Sequence, residues 1–314
     1  MMNQTAPSDV QHRSGPFALR LAVEAAPSVP LRAWLVLGKY RIATLAALSA
    51  ATGYLLAAGR VDVALFAAVA GTGFLAAAAG ALNQAQETDV DARMRRTCRR
   101  PLPMRLISIP SALLFAALAG AAGTVLLLVS GGWAAAALGL LALGSYNLLY
   151  TPLKRVTPWA AIPGSIVGAL PPAIGWAAAG RSVGEGPILA VSAYFFLWQI
   201  PHFWLLLLYF AQDFERSGLP CLTRTLGPRR LAAATFAGIV LTALMAGGGL
   251  MLAGAATGPL PGALLAGVSL WLLWRSRGLL HRAAPDATAV RGAFIGINLY
   301  ALFVMMILTA AALW

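Results

Sequence analysis

The chain has 314 residues, 60% of them apolar and only 11% charged, with 23 Lys+Arg against 10 Asp+Glu. So few charges cannot wet a soluble surface, where about a quarter of residues are charged, and disordered, fibrous and disulfide-rich secreted classes are excluded with it. The basic excess would suit nucleic acid, but it accompanies long apolar blocks, and basic loops are what fix a membrane protein's orientation.

In chain order, residues 1–38 hold Pro16, Pro27 and Pro30 among scattered charges. They are expected to form a cytoplasmic tail, partly disordered or lying on the membrane surface, with no signal-peptide pattern. Residues 39–314 are expected to form one transmembrane domain of apolar blocks at 40–59, 63–84, 107–128, 131–149, 158–179, 187–210, 231–254, 257–274 and 290–313. A spanning helix takes about 20 residues, and unbroken blocks differ from the alternation of a membrane barrel. The expected fold is therefore an all-α polytopic membrane protein, with about nine helices bundled around a central cavity. The tightest boundary is the gap at 129–131, and merging of two later blocks would give eight spans.

Alternating the loops places every Lys and Arg except Arg60 and Arg181 on one side of the membrane. That bias makes the N-terminus cytoplasmic. Cys98 and Cys221 fall in loops on the same side and show no metal or covalent-haem spacing.

Acidic residues are costly at a bilayer and usually functional there. Five cluster after two spans, as Glu87, Asp89 and Asp91, and as Asp213 and Glu215. Asn83, Glu87 and Asp91 recur every four residues, so a helix puts them on one face about 6 Å apart per step. Such oxygen ligands suit Mg²⁺, which keeps room for waters and phosphate oxygens. Arg96 and Arg100, just beyond, can grip phosphate. Asp89 lies off the stripe. The same charges could simply balance one another in a solvated loop.

Lys154 and Arg155 fall where a span reaches the cytoplasm, suited to a diphosphate or to setting orientation. His202 is the one histidine in an apolar block. Iron ligand, general base, propionate partner and helix-packing contact all remain open for it. A transporter would place its ionisable groups near the bilayer midplane, whereas these acids gather at one face.

The residues Asn83, Glu87, Asp91, Met94, Arg96, Thr97, Arg100 and Pro101 form a motif, followed by Tyr150, Thr151, Lys154, Arg155 and Thr157. Pro201-His202-Phe203-Trp204 and Asp213-Phe214 with Gly218 and Pro220 complete it. With these the chain resembles the protoheme IX farnesyltransferases of the UbiA superfamily of intramembrane prenyltransferases. Phe214 and Ser217 depart from the family's Tyr and Ala, and Gln212 stands where an acid is frequent.

The resemblance implies transfer of a farnesyl group from farnesyl diphosphate to the 2-vinyl group of haem b, with addition of water, giving heme O. It implies Mg²⁺ held by Asn83, Glu87, Asp91 and Asp213, a diphosphate gripped by Lys154, Arg155 and Arg96, and haem held by His202 and Arg100. Haem b is then substrate rather than cofactor. The implied setting is the cell inner membrane, with active-site loops on the cytoplasmic side and product passing to a haem A synthase or terminal oxidase. A superfamily member acting on a quinone or chlorophyll precursor is the alternative, disfavoured by Pro201-His202-Phe203-Trp204.

The charge bias predicts that reporter fusions at the two ends of the chain give opposite signals, cytoplasmic at the start and periplasmic at Trp314. The same signal at both ends would rule out an odd number of spans.

Overall fold

The computed structural model describes residues 29–280 and 285–314, and among them it is helical, without a strand. Residues 1–28 of the expected tail lie outside the described residues. The rest of that stretch holds a short helix, α1 (Leu31–Leu37), which buries Ala33 and Leu37. Two long helices follow, α2 (Tyr40–Ala58) and α3 (Val63–Gln86). Gly59 ends α2 at φ 61°, a left-handed geometry that costs glycine no Cβ clash. The Asp62 carboxylate caps α3, accepting from the Leu65 N–H at 3.2 Å.

The short helix α4 (Thr88–Arg93) carries the chain away from α3. The next helix, α5, starts at Ile109 under a Ser108 cap and continues through one wide π turn to Leu153. Its course breaks at Gly131 and Gly132, where Gly132 takes φ 64°. The two legs then fold back on each other, because a Cβ on Gly139 would lie 2.6 Å from Leu127 Cδ1. In one straight helix twelve residues would separate them by about 18 Å. The expected gap at 129–131 is thus a two-glycine reversal.

Beyond it come α6 (Ala161–Ala178), α7 (Gly186–Tyr209), the short α8 (Ala211–Ser217), α9 (Pro228–Leu252), α10 (Pro259–Ser276) and α11 (Ala287–Leu313). Prolines open α7, α9 and α10 in the first turn, where the missing N–H costs nothing.

Among the described residues, seven stretches are long and apolar enough to cross a membrane. The difference from nine blocks has two sources. One stretch, Ile109–Leu153, contains both legs of α5, and α10 is diluted by its prolines and Arg275. Large apolar side chains such as Leu118, Val129, Trp133, Leu148 and Leu270 stay exposed, as expected of helices solvated by lipid.

The long helices pack as a closed ring. α3 lies on α5, α2 on α3 and α6, α6 on α7, and α11 bridges α7, α10 and α2. The first half of the ring is glued by small residues, which let backbones approach. A Cβ on Gly53 would sit 1.9 Å from the Pro172 carbonyl oxygen, and one on Gly175 would sit 1.8 Å from that of Ala50. The second half packs larger groups, with Tyr194, Tyr300 and Leu250 buried among α7, α9, α10 and α11. At one end of the ring, α4 meets α8, and the polar loops gather there.

The crossing of α2 on α6 yields a prediction. Gly175→Ala forces carbonyl and methyl apart and should destabilise the chain by about 1–3 kcal/mol. Gly267, whose Cβ position meets nothing within 4 Å, should accept Ala with no loss. Thermal unfolding of the two variants in detergent checks the contrast.

Candidate active site

The polar end is built from the C-terminal turns of α3, α5 and α7 and the start of α2. The helix breaks at Glu87 (φ −120°, ψ 16°), between α3 and α4. The register nonetheless survives, because Glu87 N–H donates to the Asn83 carbonyl at 3.1 Å and Asp91 N–H to the Glu87 carbonyl at 2.8 Å. Asn83, Glu87 and Asp91 therefore stay on one line, and all three are buried.

Each finds a partner from a distant segment. Lys154 Nζ lies 2.5 Å from Glu87 Oε2, which also accepts from Asn83 Nδ2 at 3.0 Å. The same amide nitrogen donates to Thr151 Oγ1 at 2.9 Å. Arg100 Nη1 donates to both oxygens of Asp91, at 2.9 and 2.7 Å. Two of these carboxylates thus sit in ion pairs of low exposure, which tolerate burial only because they are paired.

Asp213 arrives from α8. The helix α7 runs unbroken through Pro201 to Tyr209, and Phe210 (φ −114°, ψ 32°) then turns the chain into α8. The buried Asp213 carboxylate accepts the backbone N–H groups of Arg95 at 3.3 Å and Arg96 at 3.1 Å. It therefore clamps the loop after α4 onto the end of α7.

The expected site residues divide into groups. Asn83, Glu87 and Lys154 bond directly, Asp91 joins Arg100, and Asp213 holds the 95–96 loop. Arg100 is thus engaged by Asp91. Arg155 lies outside this cluster, on Asp89 Oδ1 at 2.9 Å and the Gln86 carbonyl at 2.7 Å. Burial raises the Asp89 pKa, but the Arg155 hydrogen bond and charge outweigh that and leave it lowered. Arg96 extends over the Phe210 ring, 5.3 Å from its centroid. His202 stands apart on α7, 4.8 Å from the Trp198 ring and 5.4 Å from that of Phe294, with Nδ1 unpartnered.

The sequence assigns no site role to Lys39, which stands at the entry to the first span among the cations of one side. Its backbone is left-handed, at φ 50°, uncommon for a residue with a Cβ. This turn points Nζ at Asn83 Oδ1, 2.5 Å away, and at Tyr146 OH, 3.0 Å away. Thr151 and the Tyr146–Tyr150 stack, 5.7 Å between centroids, also line the cluster. Tyr150 and Thr151 stand in the sequence motif without a role of their own, and helical spacing back from Lys154 places them beside it.

The donor set fits a hard cation. Its atoms are carboxylate and amide oxygens, and Glu87 Oε1 is buried without a partner among the described residues, a situation normally costly. Among the described residues no three acidic, His or Cys side chains converge as a ready-made metal cluster, and Glu87 and Asp91 are paired with Lys154 and Arg100.

Burial pulls the Lys39 ammonium down to about 7, Arg100 acts in the same direction, and Glu87 and Asp91 oppose it. An unfolded lysine titrates near ~10.4. Between those values the unfolded chain binds more protons, so folding stability rises with pH. Relative to Lys39→Met, the wild type should gain on the order of 2 kcal/mol from pH 7 to 9. Melting both proteins across that range tests the sign.

The UbiA prenyltransferase family model matches residues 46–302. The chain is 42% identical over 189 residues to a protoheme IX farnesyltransferase of Geobacter sulfurreducens, covering 60% of this chain and 70% of that one. Among solved structures it resembles a digeranylgeranylglyceryl phosphate synthase with a TM-score of 0.70 at 17% identity, over 90% of this chain and 98% of that one. A UbiA homologue from Archaeoglobus fulgidus bound to GPP and Mg²⁺ gives 0.64 at 16% identity, over 88% and 99%. Because the family match runs from within α2 to within α11 and takes in Asn83, Glu87, Asp91, Lys154 and Asp213, the chain belongs to the UbiA prenyltransferase family.

Proposed function

We propose that the chain transfers a farnesyl group from farnesyl diphosphate to the 2-vinyl group of haem b, releasing diphosphate and giving heme O. The observation that carries the reading is the buried line Asn83–Glu87–Asp91, with its unpartnered Glu87 Oε1, facing Lys154. It can receive a cation and an anion side by side. The substrate pair comes from the likeness to protoheme IX farnesyltransferases.

Asn83, Glu87, Asp91 and Asp213 would hold Mg²⁺. When bound, the ion supplies Lewis-acid charge to the leaving diphosphate. Lys154 turns from Glu87 to a diphosphate oxygen and stabilises negative charge as the allylic C–O bond breaks. Arg155, anchored on Asp89 and the Gln86 carbonyl, holds the loop that carries Lys154 in place. Lys39 and Thr151 fix the orientation of the Asn83 amide. The stacked rings of Tyr146, Tyr150 and Phe203 keep water from the farnesyl cation until its C1 bonds the terminal vinyl carbon. The new cation beside the porphyrin then takes water and loses a proton, leaving a hydroxyethylfarnesyl group. In this reading the site opens on the cytoplasmic side of the inner membrane, with nine spans and a cytoplasmic N-terminus.

The test is chromatography of haem extracted after incubating the purified chain with haem b, farnesyl diphosphate and Mg²⁺. A farnesylated haem is expected, and its absence with intact protein refutes the reading. Asp91→Asn should cut the rate by about 10²-fold or more. Asp89→Asn should cost less than about tenfold, since Asp89 engages only exposed arginines. Equal losses would remove Asp91 from the cation site.

A further inference from the structure

Two buried acceptors on α7 have no part in the site described so far. Gln199 Oε1 and His202 Nδ1 are each buried without a partner among the described residues. An unmet polar atom inside an apolar span is costly. The two residues lie three apart in a continuous helix, so their side chains are neighbours, with Cβ atoms about 5–6 Å apart. The fold makes room for the first, since a Cβ on Gly168 of α6 would fall 1.8 Å from Gln199 Oε1. It frames the second with rings, Trp198 at 4.8 Å and Phe294 at 5.4 Å.

This part of α7 belongs to the same wall as the ionisation site. Phe203 stacks on Tyr150 at 5.6 Å and 12°, and Lys154 Nζ lies 5.3 Å from the Tyr150 centroid. The His202 ring is 5.8 Å from that of Phe203. Contacts between neighbouring rings therefore lead from Lys154 to His202. Such a wall excludes bulk water, yet the proposed reaction ends by taking one water up. Two orphan acceptors suit that molecule. A buried water sits where polar atoms are otherwise unmet, and with both its hydrogens donated its oxygen lone pairs are left for the cavity. Iron ligation suits His202 less well. A ligating imidazole donates its second N–H to an acceptor, and Nδ1 meets none among the described residues.

Resting on the farnesyl-transfer reading, we propose that Gln199 Oε1 and His202 Nδ1 hold the water that completes the reaction, with His202 as its general base. Once farnesyl C1 has bonded the terminal vinyl carbon, the inner vinyl carbon carries the positive charge. The water oxygen bonds that carbon, one O–H bond breaks, and the proton passes to Nδ1. The imidazolium returns the proton to bulk water as the product leaves. Where no water is held, the same cation sheds a proton from the neighbouring CH₂ and leaves an alkene, lighter than heme O by one water. The two residues thus decide between two products of a single bond-forming step.

The experiment incubates the full chain in detergent with Mg²⁺, farnesyl diphosphate and haem b, and resolves every farnesylated haem by chromatography and mass spectrometry. The wild type should give heme O with little alkene. His202→Phe keeps a ring against Trp198 and Phe294, and Gln199→Leu keeps the volume beside Gly168, while each removes one acceptor. Both variants should still join farnesyl to haem, with diphosphate release within about threefold of wild type. Their ratio of heme O to alkene should fall about tenfold or more. A wild-type ratio in either folded variant overturns the assignment, and it is what a residue that only packs helices predicts. Loss of all transfer with normal protein abundance also overturns it, because that places the residue before the bond-forming step. If His202→Phe yields no folded protein, Gln199→Leu decides alone. If the wild type farnesylates no haem, the functional reading itself fails, a result distinct from the others.

Discussion

The Asn83 amide is the joint of the polar end. Its oxygen accepts from Lys39 at the start of α2, and its nitrogen donates to Glu87 after α3 and to Thr151 in the last turn of α5. Three segments far apart in sequence meet on one side chain, and Glu87 extends the chain of bonds to Lys154. Each bond is modest by itself, about 1 kcal/mol net for a neutral pair and more for charged ones. Together they raise each other's cost of failure, because any member left unpaired is a buried polar group away from water. The network also fixes which end of the amide is oxygen, as only that orientation serves an ammonium on one side and an acceptor pair on the other.

That network determines the surrounding backbone. Glu87 leaves helical geometry, yet the Asn83–Glu87–Asp91 line is kept by the two backbone bonds that span the break. Lys39 accepts a left-handed conformation, a local cost of order 1 kcal/mol or more, because that conformation sends its ammonium to Asn83 and Tyr146. The close helix crossings elsewhere serve the same end. Gly53 and Gly175 seat α2 against α6, and Lys39 is the N-cap of α2. A crossing held apart by one methyl would move the ammonium relative to an amide that has no slack.

The spans were legible because apolar runs and basic loops are set by the membrane itself, independent of tertiary partners. The acid stripe was legible for a similar reason, since a four-residue period is local. Partner choice was not. Arg100 and Arg155 look alike in the sequence, but the fold gives one to Asp91 and the other to Asp89. Asp213 reads as another metal acid, and only the structure shows its oxygens holding the peptide groups of Arg95 and Arg96. Lys39 is hidden for the same reason. Nothing within several residues distinguishes it from a cation that merely orients the chain, and its role depends on α3 and α5 arriving beside it.

The pairing of acids with the chain's own cations bears on the proposed reaction. A buried carboxylate left alone would cost several kcal/mol, so Glu87 and Asp91 need partners before any substrate arrives, and Lys154 and Arg100 supply them. A divalent ion offers Glu87 a new cation, while a diphosphate offers Lys154 a new anion. When both enter together, the partners exchange and no charge is stranded at any stage. If the diphosphate entered alone, Lys154 could reach it only by abandoning Glu87. If the ion entered alone, Lys154 would face a like charge across one carboxylate. The electrostatics therefore favour binding of ion and diphosphate as a single unit.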